Sequence, residues 1–208
     1  MAVRIASRRR ARVKSGGRIR YFLVGILALS AGCATLREAA ALRSVEFHFD
    51  SVSDARVARV RLDRLRSYRD LTAADVARLG IAVASKDVPL ELTVHVQGRN
   101  PETNRVTARL IGLDWTYVVD GQDLLAGTFQ QGLQFPPGVP VDIPIALQLN
   151  LVRFFQGGAR DQFETALLLA GYGAQTHTVV LRVSPTIDTA LGPIRYPVPI
   201  SIPIASPQ

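Results

Sequence analysis

The chain has one cysteine, one methionine, one tryptophan and three histidines among its 208 residues. A single thiol, Cys33, excludes an internal disulfide, the staple that exported domains often use. His48, His95 and His177 are scattered along the chain, and none has a His, Cys or carboxylate at metal-ligand spacing. The sequence also lacks a Gly-x-Ser-x-Gly elbow, a phosphate loop and a dinucleotide fingerprint. Acids such as Asp114 and Asp120 are explained by strand faces and turns. These absences point away from an enzyme and leave no catalytic residue, metal ligand or cofactor site to name. Internal repeats and low-complexity blocks are missing too, and lysine is confined to Lys14 and Lys86.

A shortage of acid at one end dominates the charge. The formal net charge is +8, yet residues 1–32 hold eight basic residues and no acid. The other 17 basic residues are matched by all 17 acids, so residues 33–208 are neutral and need no polyanionic partner. Five arginines (Arg56, Arg59, Arg61, Arg64 and Arg66) resemble a nucleic-acid stripe. They alternate with apolar residues and have no aromatic among them to stack bases, so a solvated strand face is expected and nucleic acid is not.

The basic end has a definite order. Residues 1–20 are basic, Tyr21–Ala31 are apolar or small, and Gly32-Cys33 follows. Charged region, short apolar region and small-residue cleavage zone make a signal peptide. A membrane-spanning helix needs about 20 apolar residues, more than precede Arg37 and Glu38. Leu29-Ser30-Ala31-Gly32-Cys33 resembles the lipobox of bacterial lipoproteins, with Ser30 where Leu is commoner. The resemblance implies lipidation of Cys33, cleavage before it, and attachment to a membrane through acyl chains. Several chains together hold a protein firmly, at about 0.8 kcal/mol per buried methylene. Ala34 is not the Asp of an inner-membrane retention signal, so the outer membrane is favoured if the host has two. Ser7-Arg8-Arg9 resembles a twin-arginine export signal only in part, because no hydrophobic pair follows.

Beyond an Ala-rich tether at 33–43, the pattern has a period of two. Val45, Phe47 and Phe49 mark a first strand, 51–54 a polar turn, and Ala58, Val60 and Leu62 a second strand. Leu71–Gly80 reads as a short helix capped by Thr72, with Asp75 at N3 and Gly80 as its stop. Leu90, Leu92, Val94 and Val96 form the clearest strand, broken at Asn100-Pro101. Val106–Val119 follows with a phase change beside Gly112, which suggests a bulge, and the two segments are expected to pair through the Asn-Pro turn. Asp120-Gly121 signals a hairpin into Leu124–Gln130. After Pro136-Pro137-Gly138, Val139–Leu149 alternates with Pro140 and Pro144 on its polar phase, the mark of an edge or bulged strand. A second helix lies within Gly157–Gly171, with Phe163, Ala166, Leu167 and Ala170 on one side. A strand from Thr178 is expected to end at Ser184-Pro185, and Ile200, Ile202 and Ile204 alternate in a Pro-rich tail that guards against edge pairing. About seven to nine strands and one or two short helices make the domain mainly β, an antiparallel sandwich.

These residues resemble the late embryogenesis abundant type 2 family, also called the water-stress and hypersensitive-response domain. The likeness rests on the strand into Asn100-Pro101, the Leu113-x-Trp115-x-Tyr117 pattern before Asp120-Gly121, and Leu125-Ala126-Gly127. The Pro-Pro-Gly turn, the apolar alternation at 139–149 and the closing Ile187–Ile194 segment complete it. The arginine-rich second strand and the 151–171 helix depart from the family pattern. The resemblance implies an immunoglobulin- or fibronectin-III-like β-sandwich and an association with desiccation or stress. It brings no catalytic residues.

The organisation expected is a signal peptide at 1–32, lipidated Cys33 and tether at 33–43, and a sandwich domain at 44–205. The first functional expectation is a non-enzymatic, lipid-anchored envelope protein facing the periplasm, in stress tolerance or envelope maintenance. A lipid- or hydrophobic-ligand-binding module is a second, with Trp115 and Tyr117 as a candidate groove. A protein-docking adaptor that uses strand addition or loops is a third.

Overall fold

The computed structural model describes residues 45–172, 177–188 and 192–204. The predicted signal peptide, Cys33 and the tether lie outside the described residues.

Two antiparallel sheets enclose one hydrophobic core. The first contains β1 (Glu46–Val57), β2 (Val60–Arg61), β3 (Pro89–Arg99) and β7 (Pro140–Asn150), in the order β2-β1-β3-β7. The second is built on β4 (Ala108–Val119), β5 (Gln122–Phe129), β8 (Val179–Ile187) and β10 (Ile200–Pro203), in the order β10-β8-β4-β5. Two short strands extend it: β6 (Leu133–Phe135) pairs with β4, and β9 (Ile194–Arg195) pairs with β8. The alternation that marked the strands is the alternation of burial. Leu90, Leu92, Val94 and Val96 of one sheet and Leu113, Tyr117, Leu181 and Val183 of the other point into the same interior. The architecture is therefore the expected mainly-β sandwich.

Two helices, α1 (Ala73–Ala84) and α2 (Ala159–Leu169), pack on each other. They lie where β1 ends, β3 begins and β7 ends, the far end of the sandwich from Val45. Thr72 caps α1: its Oγ1 accepts from the Asp75 N–H at 3.2 Å, and Asp75 accepts in turn from the Thr72 N–H at 3.3 Å. Tyr68 meets Phe163 of α2 edge to face, centroids 5.9 Å apart.

Five local expectations are corrected. β3 and β4 do not pair; they lie in opposite sheets, and β3 is flanked by β1 and β7. The connection through Asn100-Pro101 is a crossing between sheets, tied by the buried Asn100, whose Nδ2 donates to Phe135 O at 2.7 Å and Val106 O at 3.0 Å. Residues 51–54 are not a turn. β1 runs through them with register shifts between Phe49 and Ser51 and between Ser53 and Arg56, and the chain reverses at Ala58-Arg59, both at positive φ. The arginines thus decorate a hairpin and its following loop rather than one strand, with Arg66 over the Tyr172 ring at 5.7 Å. α1 continues past Gly80 to Ala84, carrying Ala82 and Val83 onto the core. β8 continues through Pro185 to Ile187. The Pro185 carbonyl accepts from Tyr196 on the side away from β4, so its missing N–H falls where the neighbour changes from β10 to β9.

Other local readings hold. Asp120 and Gly121, at φ 50° and 79°, make the β4–β5 turn; β4 shifts register between Leu110 and Gly112; and the Pro-bearing β7 is an edge strand.

Candidate functional site

The outward face of the first sheet carries polar side chains from three strands. His95 stands on the central strand β3, with Ser51 of β1 and Pro144 of β7 as its register neighbours. Its ring reaches past both. Nε2 lies 2.8 Å from Ser53 Oγ, and Nδ1 lies 2.9 Å from Asp142 Oδ2. Ser53 is opposite Thr93 and Asp142 opposite Gln97, so both contacts are diagonals across the sheet. The proton positions follow from the partners. An ionised carboxylate only accepts, so Nδ1 carries the hydrogen and Nε2 of the neutral ring accepts from the serine hydroxyl. The ring is mostly covered, its side chain 23% exposed, whereas Asp142 is 55% exposed.

The bulges in β1 aim the serine. Phe47 and Phe49 face the core, and unbroken alternation sends Ser51 and Ser53 the same way. The extra residue between Phe49 and Ser51 reverses the phase, so Val52 turns inward opposite buried Val94 and Ser53 turns outward. A second extra residue, with Asp54 at φ 53°, places Arg56 on the same outer face opposite Glu91. Beside Ser53 lies an open depression of about 390 Å³, lined by Asp54, Arg56, Glu91, Leu92, Thr93, Ala146, Leu147 and Gln148.

Trp115 and Tyr117, the expected groove residues, are core residues. Tyr117 is wholly buried, and its hydroxyl donates to Leu169 O of α2 at 2.7 Å; burial pushes its phenol well above the ordinary value. Trp115 packs so closely on Gly127 that a β-carbon there falls 2.4 Å from the indole ring. The third histidine joins the β4–β5 turn: His177 Nδ1 contacts Asp120 Oδ2, and the Thr178 N–H donates to Asp120 Oδ1 at 2.9 Å. The His177 contact, followed by the Thr178 N–H, holds the Asp120 carboxyl below its ordinary pKa. Among the described residues, no group of three His, Cys, Asp and Glu is placed to hold a metal ion. Cys33 lies outside the described residues.

Sequence reasoning placed His95 on a polar strand face but missed Ser53 and Asp142. Ser53 lies in the polar segment that its composition marks as a turn, and the partners stand 42 and 47 residues from the histidine. Only the β1–β3–β7 pairing brings them together.

No family model matches the chain, and no curated protein matches it. Solved structures similar to the chain include the following two. One is a crystal structure of a protein from Archaeoglobus fulgidus, 13% identical, with a TM-score of 0.35 over 79% of this chain and 97% of that one. The other is a solution structure of a protein assigned provisionally to the late embryogenesis abundant group, 13% identical, with a TM-score of 0.35 over 90% of this chain and 87% of that one. At these scores neither likeness transfers a function.

Proposed function

We propose that the chain is an exported β-sandwich protein of the late embryogenesis abundant type 2 kind, held at a bacterial envelope membrane by lipid on Cys33, and that it supports survival of drying or osmotic stress. The observation that carries this reading is the sequence order of basic region, short apolar run and Cys33, with the described fold beginning twelve residues later at Val45. That spacing is a tether: twelve residues reach at most about 40 Å, so the sandwich stays close to the bilayer surface. The resemblance motifs support the family reading by serving one fold, with Leu113, Trp115 and Tyr117 in the core strand, Asp120-Gly121 in the hairpin, and Pro136-Pro137-Gly138 before the edge strand.

The described interior is filled by side chains from both sheets and α2, including Tyr117, Phe135, Ile143 and Phe163. The test is a deletion strain compared with its parent after drying and after osmotic shock. The account expects lower survival, restored by the wild-type gene and not by the Cys33→Ser form. Equal survival of deletion and parent under both stresses contradicts it.

A further inference from the structure

We propose that Ser53, His95 and Asp142 form a nucleophilic acyl-transfer site on the open face of the first sheet, acting on short-chain acyl esters of polar carriers. The connectivity is directional. The carboxylate holds Nδ1, the free Nε2 lone pair faces the serine hydroxyl, and no other order of the three groups satisfies both hydrogen bonds with a neutral ring. A surface serine otherwise donates to water. Here a bulge on either side of Ser53 sets its phase and aims it at the ring.

The chemistry balances with water as the only co-reactant. Ser53 Oγ attacks the ester carbonyl carbon while its proton passes to His95 Nε2. The carbonyl–alkoxy bond breaks, and the leaving alcohol takes that proton, leaving an acyl-serine. Water then attacks the acyl carbon, gives a proton to Nε2, and the Ser53 oxygen leaves and recovers it. The products are a carboxylic acid and an alcohol. Asp142 does not touch substrate; it is a positioning residue that fixes the tautomer and steadies the imidazolium. Thr93, the register partner of Ser53, and Arg56, whose guanidinium lies 3.7 Å from Asp54 Oδ1, border the depression, and the proposal gives them the donor role toward the carbonyl oxygen as it becomes negative. The depression is open, and Arg56, Glu91 and Gln148 place polar groups along it beside Ala146, which suits a short acyl group on a polar alcohol.

The experiment uses the full-length protein in detergent, a fluorophosphonate probe with peptide mapping, and turnover of p-nitrophenyl acetate. A phosphonate adduct on Ser53 is expected. Ser51, equally outward and the direct neighbour of His95, stays unlabelled. Ser53→Ala abolishes turnover, and His95→Gln lowers labelling and kcat by roughly 100-fold or more, the usual share of a general base. Asp142→Asn lowers kcat and shifts the pH profile of turnover, whereas a smaller folded fraction lowers apparent kcat without moving that profile. Melting temperatures of the three variants, all on the solvent face, stay near wild type. No adduct on Ser53, labelling independent of His95, or turnover that survives Ser53→Ala overturns the proposal, and none of these outcomes touches the anchoring reading.

Discussion

Single side chains at the seams of this sandwich matter more than their number suggests. Tyr117 ties the second sheet to α2 through one buried hydrogen bond to Leu169 O. Tyr117→Phe keeps the ring and strands the carbonyl, so a loss of about 1–3 kcal/mol is expected, read by chemical denaturation with an unchanged m-value. Asp120 acts through charge. Its folded carboxyl titrates below the ordinary value because His177 and the Thr178 N–H bind the ionised form. Its stabilising contribution is therefore fully present above the unfolded pKa of about 3.9 and is lost as pH falls through the lower folded value. Melting temperatures followed from pH 7 down to pH 3 should fall less steeply for Asp120→Asn than for wild type. The core phase of Tyr117 was legible, because Leu113, Trp115 and Tyr117 alternate. Its hydroxyl partner was not, since Leu169 lies 52 residues away on a helix whose docking no local pattern encodes.

At the level of elements, the code of period and punctuation worked where the cause is local. Asp120-Gly121 accepts left-handed backbone, Thr72 and Asp75 close a capping box three residues apart, and prolines on the polar phase of β7 leave it at an edge. It failed where the cause is a partner strand. Nothing in the alternation of β3 and β4 tells a hairpin from a crossing between sheets; the buried Asn100 bridging Phe135 O and Val106 O decides it. Nor do Ala58 and Arg59 advertise positive φ, and the turn signal in the sequence falls on the polar residues before them. That misplacement also hid the phase reversal that turns Ser53 outward. Two glycines separate packing from propensity. Gly98 faces the buried Phe135 ring, where a β-carbon falls 2.4 Å from Cε1, whereas Gly80 in α1 has no such neighbour within 4 Å. Gly98→Ala should cost about 1–3 kcal/mol, since the ring is walled in and one sheet must shift. Gly80→Ala should add about 0.5–1 kcal/mol by restricting the unfolded chain and favouring helix. Opposite shifts in the denaturation midpoint are the expected result, and equal shifts contradict the packing assigned to Phe135.

For the whole molecule, charge and topology point the same way. The basic excess is confined to the first 32 residues, and the rest is neutral. Val45 enters at one end of the sandwich, and both helices close the other, so the proposed anchor at Cys33 would turn the helical end away from the bilayer. The class of the fold was legible from turn spacing and alternation; which strands share a sheet was not, because pairing is a non-local choice. Everything in this arrangement depends on Cys33. The decisive measurement is metabolic labelling with an alkyne fatty acid, followed by the intact mass of the protein purified from membranes. The account predicts label on a chain that starts at Cys33, and a Cys33→Ser form that carries none and leaves the membrane fraction. An unlabelled chain that retains residues 1–32, or label that survives Cys33→Ser, contradicts it.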